Sequence, residues 1–297
     1  VNVDPYLIVN GDVSLSARIY RESEDLFVRQ PAVVVTGSWL TVKEQMADRY
    51  ARALAARGFT VFTYDFSGFG ESAGGLRQAE LPARKTADIK AVAEHVSTLS
   101  FVYPRQVGYL AICASAQYAL AAIAAGAPIS SFVSVAGWFH DLESVAPFYG
   151  GAAGVDQRIS TGREALQDYL RTGSVRTVPA YEEGNDSAGM SLPLDYYANT
   201  DRGAVPAWTN QMAALSWHYW LTFDGLSAAP AVSTPSLFVH GDDCVLPENV
   251  RRIGKTLGGP AELIWSAGGQ TDFYDQPAQV DPAVDAAITH FTRTLTS

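Results

Sequence analysis

The residue in this chain best suited to nucleophilic chemistry is a thiol. In Leu110-Ala-Ile-Cys-Ala-Ser-Ala116 an apolar run ends at Ile112, Cys113 follows at once, and a helix-forming stretch begins at Ser115. A cysteine is already partly thiolate near neutral pH, so it can attack a carbonyl where a serine hydroxyl would need a base. The plainer interpretation is that free cysteines are mostly small buried hydrophobes. The only other cysteine is Cys244, which leaves no disulfide framework and no four-ligand zinc site. The five histidines are the candidates for moving a proton near neutral pH. His140, in Gly137-Trp-Phe-His-Asp141, follows an apolar strand and has Asp141 beside it to orient the ring, so it reads either as a base or as a hydrogen-bonded hinge residue. His218, in Ser216-Trp-His-Tyr-Trp220, could reach a substrate, whereas His240 reads as strand-end structure and His95 and His290 fall on helices. No paired ligands have metal-binding spacing, so neither a metal nor another cofactor is expected.

Those residues depend on the elements around them. A β-rich start (Leu7 to Val9, Val13 to Tyr20) precedes an alternation of strands and helices: strand Pro31 to Thr36, helix Val42 to Arg57, strand Phe59 to Tyr64, helix Lys85 to Leu99, strand Gln106 to Ile112, helix Ser115 to Ala125, strand Ser130 to Ala136. After a long gap come strand Ser236 to His240, helix Pro247 to Leu257, strand Ala261 to Ser266 and a last helix, Gln276 to Leu295. Strands separated by helices imply parallel crossovers, hence an α/β fold with a doubly wound, mostly parallel sheet. The gap is too long for a loop in a compact fold. It is expected to be a mostly helical lid, residues 137–234, inserted after strand 6 into a core made of 1–136 and 235–297. Thr161-Gly-Arg-Glu164 has the form of a capping box and Gly173 that of a stop, which predicts one helix between them. The segment is rich in aromatics, and Trp138, Trp217 and His218 are the expected contacts of an apolar or aromatic substrate. The alternative is that a small insertion needs large side chains simply to pack.

With the elements in place, Leu110–Ala116 resembles the nucleophile elbow of the α/β-hydrolase family, a strand, sharp turn and helix with the usual pattern Gly-x-Ser-x-Gly. Ala111 and Ser115 stand in the glycine places and are small enough for a strand and helix to cross. Cys113 stands in the nucleophile place, as in the dienelactone-hydrolase-like branch. The resemblance implies that Cys113 points out of the sheet at a helix N-terminus, where partial positive charge lowers a thiol pKa. It implies an oxyanion hole from the amides of Ala114 and of Ser38 or Trp39, in Thr36-Gly-Ser-Trp39. Asp65-Phe-Ser-Gly-Phe-Gly-Glu-Ser72 is similar to the family's turn after the fourth strand and is read as structural. His240-Gly-Asp-Asp-Cys-Val-Leu-Pro247 resembles the acid loop, with Asp243 ahead of Asp242 as the acid, the alternative being an Asp-rich turn before a helix. Gly268-Gly-Gln-Thr-Asp-Phe-Tyr-Asp275 resembles the loop that carries the family's histidine, yet Gln270 stands in its place. An amide accepts no proton near neutral pH, so the ordinary relay is absent. Cys with Gln is more coherent than Ser with Gln. Gln270 would hold a substrate carbonyl or a water, and His140 is the best substitute base. The missing acid favours good leaving groups such as thiolates, enolates or stabilised carbanions. Thr41-Val-Lys-Glu44 is read as a capping box and Asp275 as the N-cap of the final helix, while Asp272 stays open.

Composition narrows the partners. The 297 residues, 47% of them hydrophobic and 18% charged, suffice for one large core and not for two large domains. A net charge of −10 repels phosphate backbones and anionic lipid, so nucleic acid and membranes are poor partners. The uncharged stretch from Gln106 to Phe139 is broken by Gly108, Gly126 and Pro128 into pieces far short of a bilayer span. The opening Val-Asn-Val-Asp-Pro has no signal-peptide character, and a reduced cytoplasmic setting is expected. The partner is then a small molecule, and apolar lid residues could equally form a homo-oligomer contact. The leading expectation is a hydrolase or acyl-transfer enzyme acting on an ester, lactone or thioester. A lyase, isomerase or cyclase acting on an aromatic or polyketide-like substrate is the alternative, with a silent binding protein behind it.

Overall fold

The computed structural model describes residues 1–295. Its N-terminal hairpin joins β1 (Asn2–Asn10) to β2 (Val13–Arg21). The alternation follows as β3 (Gln30–Thr36), α1 (Met46–Ala55), β4 (Thr60–Tyr64), α2 (Pro82–Ser97), β5 (Val102–Ile112), α3 (Ser115–Ala124) and β6 (Ser131–Val135). The inserted segment carries α4 (Gly151–Thr172), β7 (Thr177–Val178), α5 (Asp195–Ala198), β8 (Met212–Ala213) and α6 (Ser216–Leu221). The chain then returns to the sheet through β9 (Ser236–His240), α7 (Pro247–Thr256), β10 (Ala261–Trp265), α8 (Asp272–Asp275) and α9 (Pro277–Thr294). The large sheet runs β1-β2-β4-β3-β5-β6-β9-β10, with β2 antiparallel to both neighbours and the remaining pairs parallel. This is the α/β-hydrolase fold that the alternation and the elbow imply.

The central strands are buried throughout, as expected when helices cover both faces of a parallel sheet. Helix α3 is buried along almost its whole length because it is wedged between β5 and α2, which is why its sequence is nearly all small and apolar.

Local signals misled at three places. Helix α4 starts at Gly151, not at Thr161, whose hydroxyl donates to Gln157 O at 3.0 Å from mid-helix. Its inward stripe of Val155, Ile159, Gly162 and Ala165 carries the helix past the apparent cap, and Gly173, at φ 74°, ends it as expected. At Thr41–Glu44 no capping box forms. Gln45 Oε1 takes the Val42 N–H at 2.9 Å, and Lys43 is buried between Asp65 at 2.8 Å and Glu71 at 2.7 Å. Asp275 does not cap α9, because Arg202 of the insertion claims it at 2.6 Å. The insertion also holds the short β7–β8 ladder beside its helices.

Candidate active site

The register of the sheet brings the site loops together. Thr36 lies opposite Ala111 and Ile112 opposite Val135, so the loop after β3, the turn after β5 and the loop after β6 leave the same edge side by side. Val135 opposite Val239 and His240 opposite Trp265 add the loops after β9 and β10. Such an edge is where open α/β sheets place ligands.

Cys113 sits on a backbone of φ 58°, a left-handed conformation that a non-glycine residue adopts only when held there. It is held on both sides: its N–H donates to Val135 O at 3.1 Å and its C=O accepts from Trp138 N–H at 2.9 Å. Gly137 makes the approach feasible, since a Cβ there would meet Ser134 Oγ at 2.2 Å. Cys113 is 4% exposed, and its sulfur lines a pocket of about 620 Å³ of free space, part of it open to solvent.

Burial raises the Cys113 thiol pKa above its ordinary value, and the Ser38 and Tyr274 hydroxyls, the Ala114 N–H and the Gln270 amide only partly offset this. The expectation of a thiolate lowered by the helix terminus is therefore corrected: desolvation outweighs the donors, and the resting sulfur is a neutral thiol. The N–H groups of Ser38 and Trp39 carry no hydrogen bond among the described residues. Their loop is fixed just beyond, where Leu40 N–H donates to Glu80 at 3.2 Å and Glu80 in turn accepts from Tyr118 and Lys85.

Gln270 lies in the site, tying three loops together. Its Nε2 donates to Ala136 O at 2.8 Å and to the Tyr274 hydroxyl at 3.1 Å, while its Oε1 accepts from Val245 N–H at 3.1 Å. Asp243 does not join it. Asp243 is exposed and makes no hydrogen bond to Gln270 among the described residues, because the Val245 backbone occupies the place an acid would take. Asp242 turns outward to Arg251 and Trp265.

His140 is fully buried and does not line the pocket. Trp138 Nε1 can only donate, and it bonds His140 Nδ1 at 2.7 Å, so Nε2 carries the proton and donates to Trp220 O at 2.8 Å. With both nitrogens engaged, and burial pushing its pKa down to about 4, His140 is a neutral structural group and not a substitute base. Asp141 does not orient it either, since its carboxylate is taken by Ser144 at 2.7 Å.

Of the expected substrate contacts, Trp138 lines the pocket. Trp217 lies behind it, 5.2 Å from Tyr149 and 6.3 Å from Trp39 between ring centres, and His218 is outside the lining. Phe148, Tyr149 and Tyr197, among the aromatics of the inserted segment, also line it; the sequence reading did not single out Met190, Leu194 or Tyr274, which with Trp39 complete a mainly apolar and aromatic wall. For Tyr274 a signal existed, because it stands one helical turn after Gln270. The hydroxyls of Ser38 and Tyr197 are buried in this lining with no hydrogen-bond partner among the described residues. No helix among the described residues is long and apolar enough to cross a membrane.

Residues 32–283 match the profile of the family described as "Alpha/beta hydrolase family". The chain is 28% identical over 304 residues to the uncharacterized protein YcjY of Escherichia coli (strain K12), covering 96% of each. It is 28% identical over 276 residues to the polyketide transferase claH of Penicillium crustosum, covering 86% of this chain and 85% of that one. The crystal structure of hypothetical protein PA2218 from Pseudomonas aeruginosa superposes with a TM-score of 0.85 at 23% identity, covering 99% of this chain and 94% of that one.

Proposed function

This chain belongs to the alpha/beta hydrolase family, and from that premise we propose that it is a hydrolase or acyl-transfer enzyme that works through Cys113 on an ester, lactone or thioester. The observation that carries this reading is Cys113 at φ 58° in a turn braced from both sides, its sulfur lining the pocket beside the unpaired amides of Ser38 and Trp39. In this reading Cys113 Sγ adds to the substrate carbonyl. The oxyanion that forms is held by the N–H of Ala114 and that of Trp39 or Ser38, donors that need no rearrangement as charge develops. The leaving group departs, and water or another nucleophile then takes the acyl group from sulfur.

Three features support finer statements. The Cys elbow aligns the chain with the dienelactone-hydrolase-like branch. The aromatic wall supports an apolar or aromatic acyl group. Phe148, Tyr149, Met190 and Tyr197 come from the insertion, which supports residues 137–234 acting as a lid over the sulfur. The buried sulfur and the likeness to the polyketide transferase of Penicillium crustosum favour transfer to an acceptor other than water.

The test is covalent trapping with p-nitrophenyl butyrate followed by peptide mass spectrometry. A butyryl group on the Cys113 peptide is expected, with turnover at least ~10³-fold lower in Cys113→Ala. Full turnover by Cys113→Ala would overturn the reading. It would favour instead a lyase, isomerase or cyclase whose enolate is held by the Ser38 and Tyr197 hydroxyls, both free to donate.

A further inference from the structure

The site as built has a nucleophile and oxyanion donors but no evident route for protons. Cys113 rests as a thiol, Gln270 titrates nowhere near neutral pH, and His140 is sealed behind Trp138. Acyl transfer at a neutral thiol must still move the S–H proton away and supply one to a poor leaving group.

Three hydroxyls share the pocket lining with Cys113, those of Ser38, Tyr197 and Tyr274. Two of them, Ser38 and Tyr197, have no partner to fix their direction. Tyr274 is different. Gln270 Nε2 donates to its oxygen at 3.1 Å, and that amide is pinned by Ala136 O at 2.8 Å and Val245 N–H at 3.1 Å. The neighbouring Phe273 carbonyl is held by Tyr50 at 2.7 Å, so the short helix α8 cannot drift. Since the Tyr274 oxygen already accepts from Gln270, its own hydrogen must point elsewhere, and the Cys113 sulfur and the Tyr197 oxygen are its neighbours in the pocket lining.

We propose that the Tyr274 hydroxyl is the proton relay of this site, with Gln270 as the residue that positions it. The inference rests on the acyl-transfer reading above. As Cys113 Sγ bonds to the carbonyl carbon, the S–H proton passes to Tyr274 Oη while the Tyr274 proton passes to the leaving-group oxygen. The S–C bond forms, the C–O bond breaks, an alcohol leaves, and the phenol is regenerated with the proton of the thiol. Deacylation runs the same path backwards: the acceptor's O–H proton goes to Tyr274 and the phenol proton returns to sulfur. Charge is conserved in both halves, and beyond the acyl donor and the O–H acceptor no proton source or sink is needed. Burial keeps the phenol protonated across the working pH range, as a relay requires and a phenolate base would not.

Two measurements test this. The first needs no substrate: the rate of Cys113 alkylation by iodoacetamide against pH, in the wild type and in Tyr274→Phe. The midpoint is expected to rise in the variant, because the thiolate loses a donor, and an unmoved midpoint would overturn the proposal. The second compares ethyl butyrate with p-nitrophenyl butyrate, whose leaving group departs without a proton. Tyr274→Phe should lose at least ~10²-fold in kcat/KM on the alkyl ester and under ~10-fold on the activated one. Equal losses, or none, would overturn the relay. If Tyr274→Phe does not fold, the wild-type proton inventory on the alkyl ester decides: a curved dependence on deuterium fraction is expected for two protons in flight, and a linear one overturns it. Turnover of both esters by Cys113→Ala would instead sink the acyl-transfer reading itself, whatever Tyr274→Phe does.

Discussion

Two polar clusters flank the segment that follows β6, and they are finished in opposite ways. Around His140 every ring nitrogen is spoken for: Trp138 donates to one and Trp220 accepts from the other. Around Cys113 the donors outnumber the acceptors, and the Ser38 and Tyr197 hydroxyls are left with nothing to bond. A closed network rigidifies a fold, whereas buried unpaired donors cost stability unless something arrives to satisfy them. The difference teaches which of the two clusters is held for a ligand. The histidine behind Trp138 is architecture, whereas the thiol cluster keeps hydroxyl donors that could bond an oxygen-bearing ligand.

The comparison can be broken most severely at the closed cluster. His140→Ala is expected to cost about 3 kcal/mol, because it opens a hole and leaves Trp138 Nε1 and Trp220 O unpaired. The Cys113 alkylation rate of the folded variant should stay within ~3-fold of wild type. Urea melts and alkylation measured together check this, and an intact stability with lost reactivity would reverse the assignment.

Acid probes the same cluster without mutation. Burial holds the folded pKa of His140 and of His240 down to about 4 against an ordinary 6.5, so between those values the unfolded chain binds the extra protons. Stability is therefore complete above about pH 6.5 and falls as pH drops toward about 4, by about 2–3 kcal/mol for His140 alone. His140→Gln should flatten part of that slope in chemical denaturation between these pH values.

The open cluster should respond the other way. Ser38→Ala removes a buried hydroxyl with no partner, so stability should change by less than ~0.5 kcal/mol or improve. The alkylation midpoint of Cys113 should rise, since the Ser38 hydroxyl, unpartnered beside the neutral thiol, is free to turn its hydrogen toward a thiolate. A loss of about 2 kcal/mol would mean that Ser38 is as tightly bonded as His140. The smallest effect is expected from Asp243→Asn, under ~2-fold on acylation and within about 0.5 kcal/mol on stability, because the carboxylate is exposed. A large loss of activity there would restore Asp243 to the site.

Much of this arrangement was legible in the sequence, and the failures have a pattern. The strands and the elbow could be read because each depends on residues adjacent in the chain, as in Leu110–Ala116. The small residues at 111 and 115, where strand and helix cross, were legible for the same reason. Thr161, Thr41 and Asp275 were misread because their side chains found partners far away or lay on a helix that began earlier. His140 and Asp243 were misassigned for the complementary reason. Proximity along the chain to a strand end says that a residue leaves the sheet at the right edge, but not which way its side chain turns.

The sequence by itself determined the order of strands and helices, the long insertion, and a thiol at the sharpest turn, because periodicity, breakers and residue size act within a few residues. Only the tertiary structure decided the charge state and company of that thiol. Desolvation depends on what the inserted segment packs beside Cys113, and the match between Gln270, Ala136, Val245 and Tyr274 depends on the register of neighbouring strands. Burial and hydrogen-bond pairing are properties of surroundings assembled from distant segments, and no local pattern of residues records them.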